Sequence, residues 1–268
     1  MIVCKFGGTS VATEESIREI KKIIFSDIQR KIIVVSAPGK TEEHNKITDC
    51  LIDVYNEKDC STKNQKLREI YLIFDKIVQK LCIKYDFFKD FEEKTLNFEQ
   101  FSYARLLSIG EYFSAKILSY FFELPFVDPY ELIFFRNKKV DIKKSKKAIL
   151  SAFNKHKKFI TGGFFGQDEF GNVEIFSRGG SDITGAILAK CLNADIYENW
   201  TDVDGMFLNF DTPKKTRLIC TDIVHAKMQC IKGARVLHKD TFLYLKNTNC
   251  KILLKNTHNP LCFGTLIE

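Results

Sequence analysis

A lysine, two glycines and two hydroxyl side chains follow one another near the N-terminus, in a pattern suited to binding phosphate. Lys5 ends an apolar run, and Gly7, Gly8, Thr9 and Ser10 precede a predicted helix. Glycine lets a phosphate approach the backbone closely, and N–H groups that precede a helix point towards an anion. A lysine on the same turn can neutralise the charge that builds on a transferred phosphoryl group. The alternative interpretation is a tight turn with a surface lysine.

A second pair of glycines lies between Arg178 and Asp182. The Arg178 guanidinium can bind a carboxylate through two hydrogen bonds, and Asp182 can accept a hydrogen bond from an ammonium group. Such a pair suits the two ends of an amino acid. Alternatively, Asp182 belongs to a helix cap and Arg178 forms a surface ion pair. Glu111 is a further candidate, because it follows Gly110 on an apolar helix face, where the alternative is a solvated position.

A third polar segment, residues 200–205, follows a predicted strand. It contains Thr201 and Asp202. Threonine and aspartate at the carboxyl end of a strand commonly bind ligand at the crevice of an open α/β sheet. The alternative is an Asx turn, which the pair Asp204 and Gly205 favours.

Several common motifs are absent from the sequence. Gly39, Lys40 and Thr41 resemble the end of a P-loop, but Val34 stands where its first glycine would be. The sequence contains no G-x-G-x-x-G segment, no G-x-S-x-G elbow and no H-x-x-x-H pair, so a dinucleotide site, a serine hydrolase and a protein-ligated metal are not supported. The nine cysteines include no C-x-x-C pair, which argues against a disulfide framework and favours a reducing compartment.

Hydrophobic periodicity predicts the scaffold that must position these segments. Runs rich in isoleucine and valine at 2–6 and 31–36 end before glycines, as buried strands do, and a helix with Ile17 and Ile20 on one face lies between them. A strand, a helix and a strand indicate parallel strands covered by helices, which predicts an α/β three-layer sandwich with a mainly parallel central sheet. The other predicted elements are helices at 64–86, 101–123, 181–192 and 224–237, strands at 126–128, 159–161, 196–197 and 252–254, and a hairpin over 166–177.

Composition limits the function classes. The chain has 268 residues, of which 45% are hydrophobic, and a net charge of +7, so it is long enough for an ordinary globular core and is neither disordered nor fibrous. The lysine-rich stretch at 138–147 is interpreted as a solvated face, and no nucleic-acid partner is predicted. No segment reaches the roughly 18 apolar residues of a membrane span, and the N-terminus lacks the pattern of a signal peptide. We therefore expect a cytoplasmic protein without a membrane partner.

Taken together and in this order, the motifs resemble the catalytic domain of the aspartate kinases, in the amino acid kinase superfamily. The resemblance covers essentially the whole chain, and the segment Lys-Phe-Gly-Gly-Thr-Ser is highly specific to this family. The matching segments are residues 5–11, 35–39, 108–111, 161–164, 177–182, 200–203, 233–238 and 264–265.

The resemblance implies phosphorylation of the β-carboxylate of L-aspartate by ATP, which gives 4-phospho-L-aspartate. This is the first step of the aspartate-family pathway to lysine, threonine and methionine. Because the nucleophile is an already ionised carboxylate, no general base is needed, and catalysis consists of positioning and electrostatics. Lys5 and Asp182 would be the catalytic residues, with Lys5 at the transferred phosphoryl group.

The resemblance also implies ligand contacts for individual residues. On the nucleotide side these are Lys5, Gly7, Gly8 and Ser10 along the phosphates, and Thr201, Asp202, Phe207, Arg235 and Val236 around the rest of ATP. On the aspartate side they are Arg178 at the α-carboxylate, Glu111 and Asp182 at the ammonium group, and Thr48 beside the substrate. Mg²⁺ would be held mainly by ATP phosphates and water, without a protein metal site.

The sequence departs from the family pattern at several positions. Phe207 stands where the family commonly has tyrosine, and Arg235 where it commonly has lysine. The substrate threonine can be aligned with Thr48 or with Thr41. The family's regulatory ACT domains would begin after residue 266, so we expect an enzyme without the usual feedback site for lysine or threonine. An aspartate-binding part and an ATP-binding part would meet near residue 195.

Other interpretations stay open at this point. One is a sister kinase that acts on another carboxylate, such as N-acetylglutamate, although two carboxylates aimed at an ammonium group disfavour an acetylated substrate. Another is a weakly active protein that binds a nucleotide or an amino acid. A homodimer and a separate regulatory subunit are both compatible with the sequence.

Overall fold

A mostly parallel β-sheet lies at the centre of the fold, in a computed structural model that describes residues 1–177, 179–208, 216–234 and 236–268. The strands within these ranges are β1 (Ile2–Phe6), β2 (Arg30–Val35), β3 (Phe135–Arg136), β4 (Lys139–Val140), β5 (Phe159–Gly162), β6 (Phe165–Gln167), β7 (Val173–Ile175), β8 (Ile196–Thr201), β9 (Phe207–Leu208), β10 (Thr216–Arg217), β11 (Cys220–Thr221), β12 (Lys251–Asn256) and β13 (Thr265–Ile267). Seven of these described strands form the main sheet, in the order β11-β13-β12-β8-β1-β2-β5. Its neighbours pair in parallel except β12 with β13, so β13 and β11 run against the other strands.

Helices occupy most of the chain between the strands. Those of the described residues are α1 (Glu14–Ser26), α2 (Ile47–Asn56), α3 (Cys60–Lys80), α4 (Phe87–Thr95), α5 (Tyr103–Phe122), α6 (Pro129–Leu132), α7 (Ile142–His156), α8 (Gly180–Leu192), α9 (Ile223–Ile231) and α10 (Thr241–Leu245). Short 3₁₀ turns cover Thr9–Val11 and Phe98–Gln100.

Both faces of the sheet are buried. On β1, Cys4 and Phe6 pack into a core formed with α1 to α5, whereas Val3 packs into a second core formed with α7, α8 and α10. Residues on β2 alternate between the same two cores, as side chains on successive positions of a strand must. This arrangement confirms the predicted three-layer α/β sandwich with a mainly parallel central sheet.

Three predicted elements differ from the structure. The prediction of a strand at 126–128 was wrong, because Phe126 makes only a single bridge to Ile160 and Pro129 then starts α6. The helix predicted to reach residue 86 ends at Lys80. The helix predicted over 224–237 ends at Ile231, because Gly233 adopts a φ of +113° that does not continue a helix.

Most of the lysine-rich stretch lies on α7, which was not predicted from the sequence, whereas Lys138 and Lys139 precede this helix. Lys143, Lys144, Lys146 and Lys147 are exposed, so the stretch forms a solvated face. Among the described residues, no helix combines the length and the apolar character that crossing a membrane requires.

Candidate active site

Two of the candidate segments meet where parallel strands end side by side. Phe6 on β1 pairs with Trp200 on β8, and the Gly7 N–H donates to the Trp200 carbonyl at 3.0 Å. Thr201, the last residue of β8, pairs with Asn256, the last residue of β12. The carboxyl ends of these strands form one edge, as expected for a ligand crevice in a parallel sheet.

The candidate segment that contains Asp182 reaches the same edge through α8. The Lys5 ammonium lies 2.7 Å from Oδ1 of Asp182, which is in the first turn of α8. Oδ1 also accepts from the Asn199 side-chain amide at 3.0 Å, and Oδ2 accepts from the His238 backbone N–H at 2.9 Å. The N-cap residue of α8 is Gly179, so Asp182 does not cap its own helix. Its carboxylate instead links α8 to Lys5 on β1 and to Asn199 on β8.

Lys5 and Asp182 line a cavity of about 710 Å³ together with other candidate residues. Gly8, Thr48 and Glu111 belong to its wall. The remaining lining residues are Ser36, Ala37, Lys46, Asp49, Ile52, Tyr103, Leu107, Phe164, Ile175, Phe176, Ser177, Gly179, Gly180 and Ser181. Residues from four sequence segments that are far apart along the chain therefore surround one space.

The two candidate threonines lie in different places. Thr48, in the first turn of α2, lines the 710 Å³ cavity. Thr41 lines a separate cavity of about 470 Å³, where its neighbours include His44 and Lys76. Only Thr48 of this pair is near the lysine and aspartate.

Glu111 lies inside the protein on α5, so the solvated position considered from the sequence was wrong. The residue is 5% exposed, and its Oε2 is buried without a hydrogen-bond partner among the described residues. Burial raises the pKa of Glu111 to about 7, and hydrogen bonding with the Ala37 backbone offsets only part of this effect. A buried carboxylate with an unused oxygen is suited to accept hydrogen bonds from a ligand cation.

Glycines let two loops pack backbone against backbone beside Lys5. The Gly39 N–H donates to the Gly8 carbonyl at 2.9 Å, and a Cβ atom on Gly8 would lie 2.8 Å from the Ala37 carbonyl oxygen. Ser10 is fully buried, and its hydroxyl shares a 2.8 Å hydrogen bond with Thr257. Gly8 therefore borders the cavity, whereas the Ser10 hydroxyl is occupied in the interior.

The N-terminus of α8 borders the cavity. Gly179 has a φ of +76°, and a Cβ atom there would lie 2.4 Å from the His238 ring, so any larger residue would be excluded. Gly179, Gly180 and Ser181 line the cavity where the N–H groups of the first helical turn are unpaired by the helix itself. These N–H groups and the helix dipole favour an anion at this end.

The lining of this cavity does not include four further nucleotide-side candidates, Thr201, Asp202, Phe207 and Val236. Thr201 donates its hydroxyl to Oδ1 of Asp202 at 3.1 Å, immediately after β8. Phe207 is on β9, and Val236 follows α9 and is half-buried. Arg178 and Arg235 lie outside the residues that the structure describes.

Asn199 and the His238 backbone are partners of Asp182 that were not predicted from the sequence. A detectable signal was the pair Glu198 and Asn199 inside an otherwise apolar strand, because a buried polar side chain needs a partner. Within the described residues, no group of three or more histidine, cysteine or acidic side chains is arranged to hold a metal ion.

A family model described as the amino acid kinase family matches residues 1–256. Aspartokinase 3 of Bacillus subtilis is 31% identical over an alignment that covers 100% of this chain and 63% of the relative. The chain thus spans somewhat less than two thirds of that protein.

Solved structures of aspartate kinases also match this chain over its whole length. The crystal structure of aspartate kinase from Clostridium acetobutylicum is 36% identical with a TM-score of 0.91, covering 100% of this chain and 63% of that one. Aspartokinase III of Escherichia coli, in complex with aspartate and ADP, has a TM-score of 0.88 at 24% identity, covering 100% of this chain and 64% of that one, and supports the fold alone.

Proposed function

This chain belongs to the amino acid kinase family, and from that premise we propose that it transfers the γ-phosphoryl group of ATP to the β-carboxylate of L-aspartate. The product is 4-phospho-L-aspartate. The observation that carries the proposal is the single cavity shared by Lys5, Asp182, Thr48 and Glu111. The similarity to an aspartate kinase structure over the whole chain supports the choice of aspartate.

Recognition of aspartate follows from the charges at the cavity. Glu111 Oε2 has no hydrogen-bond partner among the described residues and can accept from the substrate ammonium, and Thr48 lines the same space. Asp182 adds negative charge, although both of its oxygens already accept hydrogen bonds. Arg178 binds the α-carboxylate in this proposal, by the family resemblance of residues 177–182. An ammonium group is therefore part of what the site selects.

The chemistry requires charge stabilisation rather than proton removal. The β-carboxylate of aspartate is ionised at neutral pH and can attack phosphorus directly. Lys5 places its ammonium at the cavity wall, where it offsets the charge that develops on the phosphoryl oxygens. The N–H groups at the start of α8 act in the same direction. Asp182 keeps the Lys5 side chain in position through the 2.7 Å ion pair.

MgATP is the proposed donor. Gly7 and Gly8 leave backbone rather than side chain beside Lys5, which fits a phosphate chain at the carboxyl end of β1. Thr201, Asp202, Phe207, Arg235 and Val236 are proposed to contact the rest of the nucleotide. When bound, Mg²⁺ would neutralise phosphate charge, and both oxygens of Asp182 are already engaged, which fits an ion held mainly by phosphates and water.

The test is formation of an acyl phosphate, trapped with hydroxylamine. L-Aspartate, L-glutamate and N-acetyl-L-glutamate should be offered in parallel with ATP and Mg²⁺. We expect the hydroxamate from aspartate, and none from the acetylated substrate, because Glu111 would then face no cation. A signal with N-acetylglutamate and none with aspartate would contradict the proposal, as would silence with every substrate.

A further inference from the structure

Asn199 is a buried polar residue that contacts the Asp182 carboxylate. Lys5 and Asn199 are register partners on the adjacent parallel strands β1 and β8, so both side chains project from the same face, towards α8. Oδ1 of Asp182 accepts from both of them, at 2.7 Å from Lys5 and 3.0 Å from Asn199. The three side chains form a chain of polar contacts in which Asp182 is the shared member.

We propose that Asn199 is a positioning residue for phosphoryl transfer, which orients the Asp182 carboxylate and through it the Lys5 ammonium. The inference rests on the proposed function, because it concerns the lysine assigned to the transferred phosphoryl group. Asn199 does not line the cavity, so its effect on Lys5 is exerted through the Asp182 carboxylate that both side chains contact.

Packing does not explain an asparagine at this position. Asn199 is 1% exposed, and its side-chain oxygen has no hydrogen-bond partner among the described residues. Burying that oxygen costs free energy that leucine would avoid. Leucine cannot donate a hydrogen bond to Asp182 Oδ1, whereas the NH₂ group of the asparagine amide can. The amide is therefore retained for its donor.

The helix itself is anchored independently of Asn199. A Cβ atom on Gly185 would lie 2.5 Å from the Tyr197 ring, so α8 packs directly on β8. The Tyr197 hydroxyl donates to the Asp182 backbone carbonyl at 3.1 Å. These contacts place the backbone of Asp182, and Asn199 and the His238 N–H then orient its carboxylate. Loss of the Asn199 donor should therefore disturb the carboxylate without detaching the helix.

The charged and titratable groups around Asn199 come from every described element packed against it. Asp182 on α8 and Tyr197 on β8 contact Asn199, and Lys5 on β1, Cys230 on α9 and His238 after α9 lie around the Asp182 carboxylate. On the β12 side its register partner is Leu254, which does not titrate. A carboxylate introduced at position 199 would face Asp182 directly and would have Lys5 as its nearest cation.

Two variants separate positioning from packing, with kcat, KM and thermal midpoint measured for each. Asn199→Leu replaces the amide by an apolar side chain that branches at the same carbon atom and so removes the donor, and it should lower kcat about tenfold or more with a smaller change in KM for aspartate. Asn199→Asp should lower kcat most at high pH, where two carboxylates face Lys5, and less at low pH, where a protonated carboxyl again donates to Asp182. Ser145→Ala is the control, since it removes a 2.9 Å hydrogen bond from the Phe134 backbone N–H to a buried side chain that does not line the cavity, and it should lower the thermal midpoint with kcat within about twofold of wild type.

A measurement without turnover keeps the inference separate from the proposed function. The ¹⁵N signal of the Lys5 ammonium, assigned by its loss in Lys5→Met, should be sharp in the wild type and broadened in Asn199→Leu. If the wild type makes no acyl phosphate but this broadening occurs, the positioning role stands and the proposed function fails. Wild-type kcat and an unchanged ammonium signal in Asn199→Leu would overturn the inference, as would an Asn199→Asp/wild-type kcat ratio that is the same at all pH values.

Discussion

At the level of single residues, the site consists of a few buried charges whose neighbours hold them in place. Lys5 is 8% exposed and Glu111 is 5% exposed, yet both border the same cavity. Charges in such surroundings interact more strongly than charges in water. Changing one of them should therefore alter both catalysis and stability.

Removal of the Lys5 ammonium tests its role in phosphoryl transfer. Lys5→Ala should lower kcat at least about a hundredfold, because the lost interaction develops mainly in the transition state. Initial rates at saturating ATP and aspartate measure this effect. Lys22→Ala removes an exposed lysine paired with Glu19 and should leave kcat within about twofold. Similar kcat values for the two variants would exclude Lys5 as a catalytic residue.

The ionisation of Glu111 should appear in the pH profile. Because its pKa in the free protein is about 7, the carboxylate becomes neutral as the pH falls through that value. The quantity kcat/KM for aspartate reports ionisations of the free enzyme, so it should fall below about pH 7. Glu111→Gln should have a lower kcat/KM without this acidic limb. An identical limb in the variant would assign the ionisation to another group.

The same ionisation should affect stability, but whereas kcat/KM is expected to fall at low pH, the free energy of unfolding is expected to fall as the pH rises. The pKa of Glu111 is raised from 4.5 to about 7 by folding, so the folded state holds more protons between these values and loses stability as the pH rises. Above that range Glu111→Gln should be more stable than wild type, by at most about 3 kcal/mol. Urea unfolding near pH 5 and near pH 8 measures the difference. An equal difference at both values would contradict the assignment.

At the level of elements, the glycine-rich loop after β1 is shaped by its packing against residues 36–39. Gly8 has a φ of −61°, which any residue can adopt, so space rather than backbone conformation requires glycine there. A Cβ atom would lie 2.8 Å from the Ala37 carbonyl oxygen and 3.2 Å from the Gly39 nitrogen. Backbone atoms cannot move aside as a flexible side chain can.

Alanine substitutions in this loop should therefore have unequal effects. Gly8→Ala should lower the free energy of unfolding by about 1–3 kcal/mol, because it forces two backbone segments apart. Gly7→Ala is the matched control, since its Cβ would have its nearest contacts at 3.5 and 3.6 Å. Denaturant unfolding of both variants provides the measurement. Equal losses of stability would show that the close approach at Gly8 is not limiting.

Element prediction succeeded where the hydrophobic pattern was long and uninterrupted. The pattern over residues 101–123 corresponds to α5, and the run at 2–6 corresponds to β1. It failed at 126–128, where Pro129 starts a helix, and it missed α7, whose lysines obscure the apolar face. Local pattern is informative only when one face of an element is plainly apolar.

At the level of the whole molecule, a buried ion pair joins the strands that carry the site. The Arg30 side chain from β2 bonds to both oxygens of Glu198 on β8, at 2.8 and 3.1 Å. Glu198 Oε2 also accepts from Trp200 at 2.8 Å and from the Cys4 thiol at 3.3 Å. Cys4 lies on β1, which is between β2 and β8 in the sheet. The network therefore spans three adjacent strands, on the face of the sheet opposite to Lys5 and Asn199.

Breaking this pair should destabilise the fold more than removing both of its members. Glu198→Leu alone should lower the free energy of unfolding by about 3–5 kcal/mol, because it leaves the Arg30 charge buried without its partner. Arg30→Met combined with Glu198→Leu should recover most of that loss. Lys251→Ala, which opens an exposed pair with Glu268, should cost less than about 1 kcal/mol. A double variant as unstable as Glu198→Leu would contradict this account.

The sequence by itself determined the fold class and the candidate residues. Buried parallel strands are nearly continuous runs of Ile and Val, and glycine pairs before helices are local features that spacing reveals. The tertiary structure decided which candidates meet: it placed Thr48 rather than Thr41 in the cavity, buried Glu111, and joined Lys5 to Asp182 and Asn199. These contacts join residues far apart along the chain, so they depend on strand order and helix packing, which no local pattern specifies.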